Sequence, residues 1–406
     1  AERCGLGQRM ARGLRPIMRR LFPDVPTEHP AMGSIVMNIA ANMLGLGNAA
    51  TPLGLRAMRD LETLNPRPGV ASNAMCTFLA INTSSVQLIP TTAIALLAAA
   101  GSRNPTIIVG TALLATSCST IVGITSVKLF EKLRAFRLPE IERAGGGPDV
   151  AALVSSAGAS REVAASDQAV DTTASTPPLA AEGTVAKPPW WGSALVMLLS
   201  FFFVALFVKL VWPGLFGLPL SADAAAQNGF VRAVNAISLL AIPFLLSFFP
   251  LYAAVRGVKV YEEFVEGAKE GFGVVLKIIP FLVTMLVAIN MFKGAGGIDL
   301  LTRALTPILA PLQFPPDLLP LALMRPLSGG ASLAIFTEMI QRLGADNIVT
   351  LMAATVFGST ETTFYVVAVY FGAVGVKQTR HAIPAGLLAD VAGIIASVVI
   401  CRAVLG

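Results

Sequence analysis

Apolar runs of roughly 20 residues recur along the whole chain, at 74–100, 105–130, 193–211, 231–255, 274–292, 348–374 and 382–404. A helix of that length crosses the roughly 30 Å of a bilayer's hydrocarbon core and satisfies its own backbone where no water can. The expected fold class is therefore an all-α membrane protein. Composition agrees, since only 13% of the 406 residues are charged, about half the share found in soluble domains. No run has the layout of a removable signal peptide.

Chemistry that needs clustered ligands or nucleophiles is poorly supplied. Cys4, Cys76, Cys118 and Cys401 lie far apart without C-x-x-C spacing, so neither a disulfide framework nor a metal site is indicated. His29 and His381 are the two histidines, which makes imidazole metal chemistry and a Ser-His-Asp triad poor readings. No cofactor and no enzymatic activity are expected. The net charge of +6 could serve nucleic acid, but loop Lys and Arg that fix membrane topology explain it more simply.

The chain is organised as two units and a spacer. Residues 134–189 turn abruptly to Gly, Ser, Ala, Thr and Pro, a composition that reads as a flexible hydrophilic linker. Trp190 and Trp191 then mark an interfacial entry to the next helix. Residues 1–133 and 190–406 repeat one order of elements. GLGQRMARGLRPIMRRLFP (5–23) corresponds to GGIDLLTRALTPILAPLQFP (296–315), and SIVMNIAANMLGLGNAATP (34–52) to LALMRPLSGGASLAIF (321–336), which sets Asn38 opposite Arg325. INTSSVQLIPTTAIALLAAAG (81–101) matches TVFGSTETTFYVVAVYFGAVG (355–375), setting Gln87 opposite Glu361. The second unit has two further runs, 231–255 and 274–292, before its amphipathic segment, so repeat symmetry predicts roughly 60 residues upstream of Ala1.

Charge predicts inverted topology. The first amphipathic segment carries Arg9, Arg12, Arg15, Arg19 and Arg20, whereas its counterpart has Arg303 beside Asp299. With the arginine-rich copy cytoplasmic and the stretches around Gly45 and Gly329 drawn as re-entrant hairpins, Lys128, Lys132, Arg134, Arg256, Lys259, Lys377 and Arg380 all fall on the cytoplasmic side, the linker with them. Each repeat then reads as interfacial helix, re-entrant hairpin, broken helix and spanning helix in a bacterial inner membrane.

Broken helices expose groups that a bilayer cannot satisfy, and inverted-repeat transporters bind solute there. Four interruptions are expected, at 42–48, 82–87, 328–332 and 358–363. They gather the candidate substrate-binding set: Asn38, Asn42, Asn48, Asn82, Ser84, Ser85, Gln87, Arg325, Ser328, Ser359, Thr360 and Glu361. Glu361 could accept hydrogen bonds from a solute or pair with Arg325 to pin hairpin to broken helix; the two roles are compatible. Arg325 fits an anionic solute, a Glu partner or snorkelling to the interface, and the amides fit interhelical bonding equally well. Glu361 and Asp390 are the candidates for ion coupling. Gly45-Leu46-Gly47-Asn48-Ala49-Ala50 spells G-x-G-x-x-A but follows no strand, so it carries no dinucleotide reading.

NMLGLGNAATPLGLRAM with the preceding MNIAAN resembles the spore maturation protein A family, and MRPLSGGASLAIF with GSTETTFYVVAVYFGAVGVKQTRHA resembles the spore maturation protein B family. The chain thus resembles a fusion of the two, whose halves are similar to the nucleoside-recognition or Gate superfamily and to the core of concentrative nucleoside transporters. The resemblance implies the same order of hairpin, broken helix and spanning helix. It also implies a substrate contact at Glu361, since Gly358-Ser359-Thr360-Glu361-Thr362-Thr363 resembles the transporter motif G-Q-T-E-A-P, with Ser359 and Thr363 departing from it.

The function expected is a secondary transporter or permease moving a small polar or anionic solute by alternating access. A non-transporting scaffold in spore or cell-envelope maturation is the alternative. The expected partners are the lipid bilayer, a small-molecule solute and a coupling proton or sodium ion, without nucleic acid; a homo-oligomer is compatible with the pattern.

Overall fold

The computed structural model describes residues 13, 16–26, 28–43, 47–84, 87–134, 136, 189–216, 228–266, 268–269 and 313–405, with isolated positions between 283 and 303. The linker, most of both amphipathic segments and nearly all of the run at 274–292 lie outside the described residues. The described elements are helical. A hairpin of α1 (Pro30–Met43) and α2 (Gly47–Glu62) is followed by an interrupted helix, α3 (Asn73–Ser84) and α4 (Thr91–Ala99), and a long helix, α5 (Ile108–Lys132). After α6 (Trp190–Val211) and α7 (Gly229–Val255), the series recurs as hairpin α8 (Leu319–Met324) and α9 (Gly329–Leu343), interrupted helix α10 (Ile348–Ser359) and α11 (Thr363–Gly372), and long helix α12 (Ala382–Leu405).

Local chemistry explains the boundaries. Ser328 caps α9 by accepting from the Ala331 amide at 3.2 Å, and Asn347 caps α10 by accepting from Val349 at 2.9 Å. Pro90 forces the preceding residue out of helical geometry, and α4 restarts at Thr91. Helices α5, α6 and α12 are long and apolar enough to cross a membrane, as is α7 taken with its 48° bend near Pro243, where the ring removes a helix hydrogen bond. The protein is a multi-pass membrane protein. Leu198, Phe201, Phe202 and Val204 of α6 are exposed, as suits a helix facing lipid.

The centre is the α5–α12 pair. Ala115, Ser119, Gly123 and Val127 repeat every fourth residue of α5 and are buried, as are Gly386, Asp390, Ile394 and Ser397 in α12. Small side chains let the two backbones approach, and the Ser119 hydroxyl donates to the Ala389 carbonyl at 2.8 Å. A Cβ on Gly393 would stand 2.5 Å from Thr360 Cγ2 and 3.1 Å from Ser119 Cβ. Gly393→Val is therefore expected to destabilise the protein by about 1–3 kcal/mol, seen as a lower melting temperature in detergent; an unchanged melt would mean that this packing is not tight.

Two apolar cores flank the pair, and each draws on both series. One joins Met32, Ile35 and Met58 of the first hairpin and Phe78 of α3 to Val366, Tyr370 and Phe371 of α11. The other joins Ile335, Phe336 and Met339 of the second hairpin and Met352 of α10 to Ile94 and Leu97 of α4. The chain ends of the interrupted helices are tied in the same crossed way. Before α3, the Gly69 carbonyl accepts from Lys377 and Gln378 at 2.9 and 3.1 Å, beyond the end of α11. Past α4, Ser102 Oγ donates to Asp346 Oδ1 at 2.6 Å, just before α10.

Arg380 closes the first of these ends, donating to the Ala71 carbonyl at 3.0 Å, Asn73 Oδ1 at 2.8 Å and the Phe136 carbonyl at 2.7 Å. Beside it His381 is fully buried, edge-on to Phe136. Burial, helped by the Arg380 charge, pushes its imidazole down from the ordinary 6.5 to about 4. The unfolded chain then binds the extra proton first, so stability falls as pH drops from about 6.5 to about 4 and levels below it. Melting curves across that window should show this slope, and His381→Phe should flatten it.

Candidate functional site

The two interruptions meet. The Glu361 amide donates to the Thr83 carbonyl at 2.9 Å, joining the second break to the end of α3. Gly358 makes the approach feasible, because a Cβ there would lie 2.5 Å from Pro90 Cβ. Each hairpin tip is stitched to an interruption in its own series: the Leu88 amide donates to the Met43 carbonyl at 3.1 Å, and the Phe364 amide to the Pro326 carbonyl at 3.0 Å.

Polar side chains extend this meeting point. Asn42 Nδ2 donates to Asn82 Oδ1 at 2.9 Å, and Gln87 Nε2 reaches Glu361 Oε1 at 3.4 Å. Asn42 and Gln87 are half-buried, and the Glu361 side chain is 38% exposed. Asn42, Gln87 and Glu361 are thus partly exposed candidates beside the two breaks, with Gln87 and Glu361 in contact.

Arg325 is buried, so it does not snorkel. It continues the end of α8 and inserts under α10, donating through Nη2 to the Phe357 carbonyl at 3.0 Å and to the Thr360 carbonyl, and through Nε to Thr360 Oγ1 at 3.2 Å. Its guanidinium lies 4.6 Å from the centre of the Phe357 ring. A cation is well placed against the carbonyl end of a helix. Glu361 Oε2 stands 4.0 Å from Nη2, beyond hydrogen-bond reach. The pin between hairpin and broken helix therefore runs mainly through backbone carbonyls, with Glu361 a long ion-pair partner that also meets Gln87.

Other expectations are corrected by position. The interruption expected at 82–87 starts later, since α3 continues through Ser84; Asn82, Thr83 and Ser84 bond to the carbonyls of Phe78, Ala80 and Ile81. Asn38 and Arg325 do not occupy matching places: Asn38 lies within α1 and ties its hairpin by donating to the Ala50 carbonyl at 2.7 Å, whereas Arg325 follows the last residue of α8. Ser328 is a helix cap, Ser359 bonds Ser397 at 3.1 Å, and Thr360 serves the Arg325 network. Ser85 and the side chain of Asn48 lie outside the described residues. Sequence reasoning missed Thr363 and Ser119, hydroxyls inside apolar runs that contact α12.

A hairpin, an interrupted helix and a long helix, occurring twice around a polar crossing, define a class of polytopic α-helical membrane proteins. The family model described as Gate, nucleoside recognition, matches residues 1–100 and 275–377, half of the chain, and the protein belongs to that family. The chain is 43% identical over 176 residues to spore maturation protein B of Bacillus subtilis (strain 168), covering 43% of this chain and 99% of that protein. It is 51% identical over 130 residues to spore maturation protein A of the same organism, covering 32% of this chain and 66% of that one. No solved structure gives a significant match.

Proposed function

We propose that the protein is an inner-membrane secondary transporter of a small polar solute, which it holds at Glu361, Gln87 and Asn42. The observation that carries this reading is the partly exposed Glu361 carboxylate at the crossing of two interrupted helices, within reach of Gln87. A carboxylate there accepts hydrogen bonds from hydroxyl or amine groups. Because Arg325 is committed to backbone carbonyls, the geometry favours a solute rich in donors over an anionic one. A nucleoside has such donors, in keeping with the family's description.

Alternating access by inverted repeats draws support from the crossed ties. Helix α3 begins where α11 ends, and α4 ends where α10 begins, so the two interrupted helices run in opposite directions. The α3–α11 end also gathers Lys128, Lys132, Arg134, Lys377 and Arg380 with the start of the linker, which supports placing it in the cytoplasm. The scaffold alternative is compatible with the names of the two spore maturation relatives.

The test is a thermal-shift screen of the detergent-purified protein against nucleosides, nucleobases, amino acids, dicarboxylates and divalent metals. A solute at one hundred times its Kd should stabilise by about 2.7 kcal/mol. Donor-rich neutral solutes are expected to raise the melting temperature. A panel that leaves it unmoved would favour the scaffold.

A further inference from the structure

The last long helix holds a carboxylate that the solute site does not use. Asp390 is fully buried in α12. Its Oδ2 accepts a 2.6 Å hydrogen bond from Thr363 Oγ1, and its Oδ1 has no hydrogen-bond partner among the described residues. A buried carboxylate with an open oxygen and no contacting cation is costly, and such groups are kept where something binds them.

The surroundings are oxygen-rich. One turn before Asp390, a Cβ on Gly386 would meet Thr363 Oγ1 at 3.2 Å and Thr83 Oγ1 at 3.3 Å, so hydroxyls from both interrupted helices converge on this face. One turn after it, Ser119 Oγ lies 3.3 Å from the corresponding point on Gly393. Arg325 and Glu361 are the charges that act on Asp390, with opposite signs. Arg325 is already spent on the carbonyls of Phe357 and Thr360. On the elements packed against α12, the ionisable groups are Cys76 on α3, Cys118, Lys128, Glu131 and Lys132 on α5, Tyr365 and Tyr370 on α11, and Arg232 and Tyr252 on α7; α10 has none. None of these makes an ion pair with Asp390 among the described residues.

We propose that Asp390 binds one monovalent cation, a proton or Na⁺, at the open oxygen beside Thr363. A carboxylate oxygen beside threonine and serine hydroxyls suits a hard cation, and one carboxylate balances one charge. Thr363 opens α11, two residues after Glu361, so filling the site changes how α12 grips the break that carries the solute carboxylate. That coupling rests on the transporter reading; cation binding itself does not.

The test uses the purified full chain and needs no solute. Equilibrium binding of radioactive Na⁺ and infrared spectra of carboxyl groups are measured between pH 5 and pH 9, for the parent, Asp390→Asn and Glu361→Gln. Saturable Na⁺ binding, at least tenfold weaker in Asp390→Asn, assigns the site to Na⁺. A protonated-carboxyl band that disappears on raising the pH and is missing from Asp390→Asn assigns it to a proton. Labelling aspartate with ¹³C identifies the band in the unaltered protein should the variant misfold. Glu361→Gln removes one of the two charges that act on Asp390 and is expected to move the midpoint of either signal without abolishing it, so this site can stand when the solute site fails. Absence of both signals in the parent, or their persistence in a folded Asp390→Asn, overturns the proposal.

Discussion

Glu361→Gln should lower affinity for the transported solute ten- to a hundredfold while the melting temperature of the free protein stays close to that of the parent. The solute loses one bond to a charged acceptor, worth about 1.5–3 kcal/mol. The fold loses little, because the Glu361 amide keeps its bond to the Thr83 carbonyl whatever the side chain. Glutamine also preserves the reach to Gln87. Solute-induced thermal shift and isothermal titration read the two effects separately. A large drop in the melting temperature without solute would mean that Glu361 is a structural partner of Arg325 after all.

Arg325→Met should do the opposite, removing about 3 kcal/mol or more of stability. Methionine fills the space but leaves the carbonyls of Phe357 and Thr360 without their donor in a buried setting. Arg325→Lys should recover only part of the loss, since an ammonium cannot reproduce the planar fork that serves Thr360 and Phe357 together. Unfolding in detergent by heat or denaturant measures the series. Equal stability of Arg325→Met and parent would remove the pin between the second hairpin and α10.

The long elements were readable because membrane helices announce themselves by length: the runs at 105–130 and 382–404 became α5 and α12. The break after Ser359 was also placed by its Gly, Ser and Thr content, while residues 44–46 of the break expected at 42–48 lie outside the described residues. The same cue set the first break too early, because Asn82, Thr83 and Ser84 satisfy their polar groups on the preceding turn and stay helical, and residues 87–90 are the non-helical ones described before α4. Sequence also grouped twelve polar residues as one solute set, although Asn38, Ser328, Ser359 and Thr360 are spent on hairpin, cap and packing contacts. Polarity within a membrane run marks a need for partners, and only tertiary contacts reveal whether protein atoms meet it. The Asp390 oxygen without a hydrogen-bond partner among the described residues and the 4.0 Å approach of Arg325 to Glu361 are of that kind.

Transport itself is tested most directly by counterflow in proteoliposomes, loaded with whichever solute stabilises the purified protein and supplied outside with a radioactive trace of it. The account predicts transient accumulation of label above the level of empty liposomes, abolished by Glu361→Gln. Binding of that solute with no movement across the bilayer, in protein that melts as a folded unit, would contradict it and leave a solute-sensing scaffold in its place.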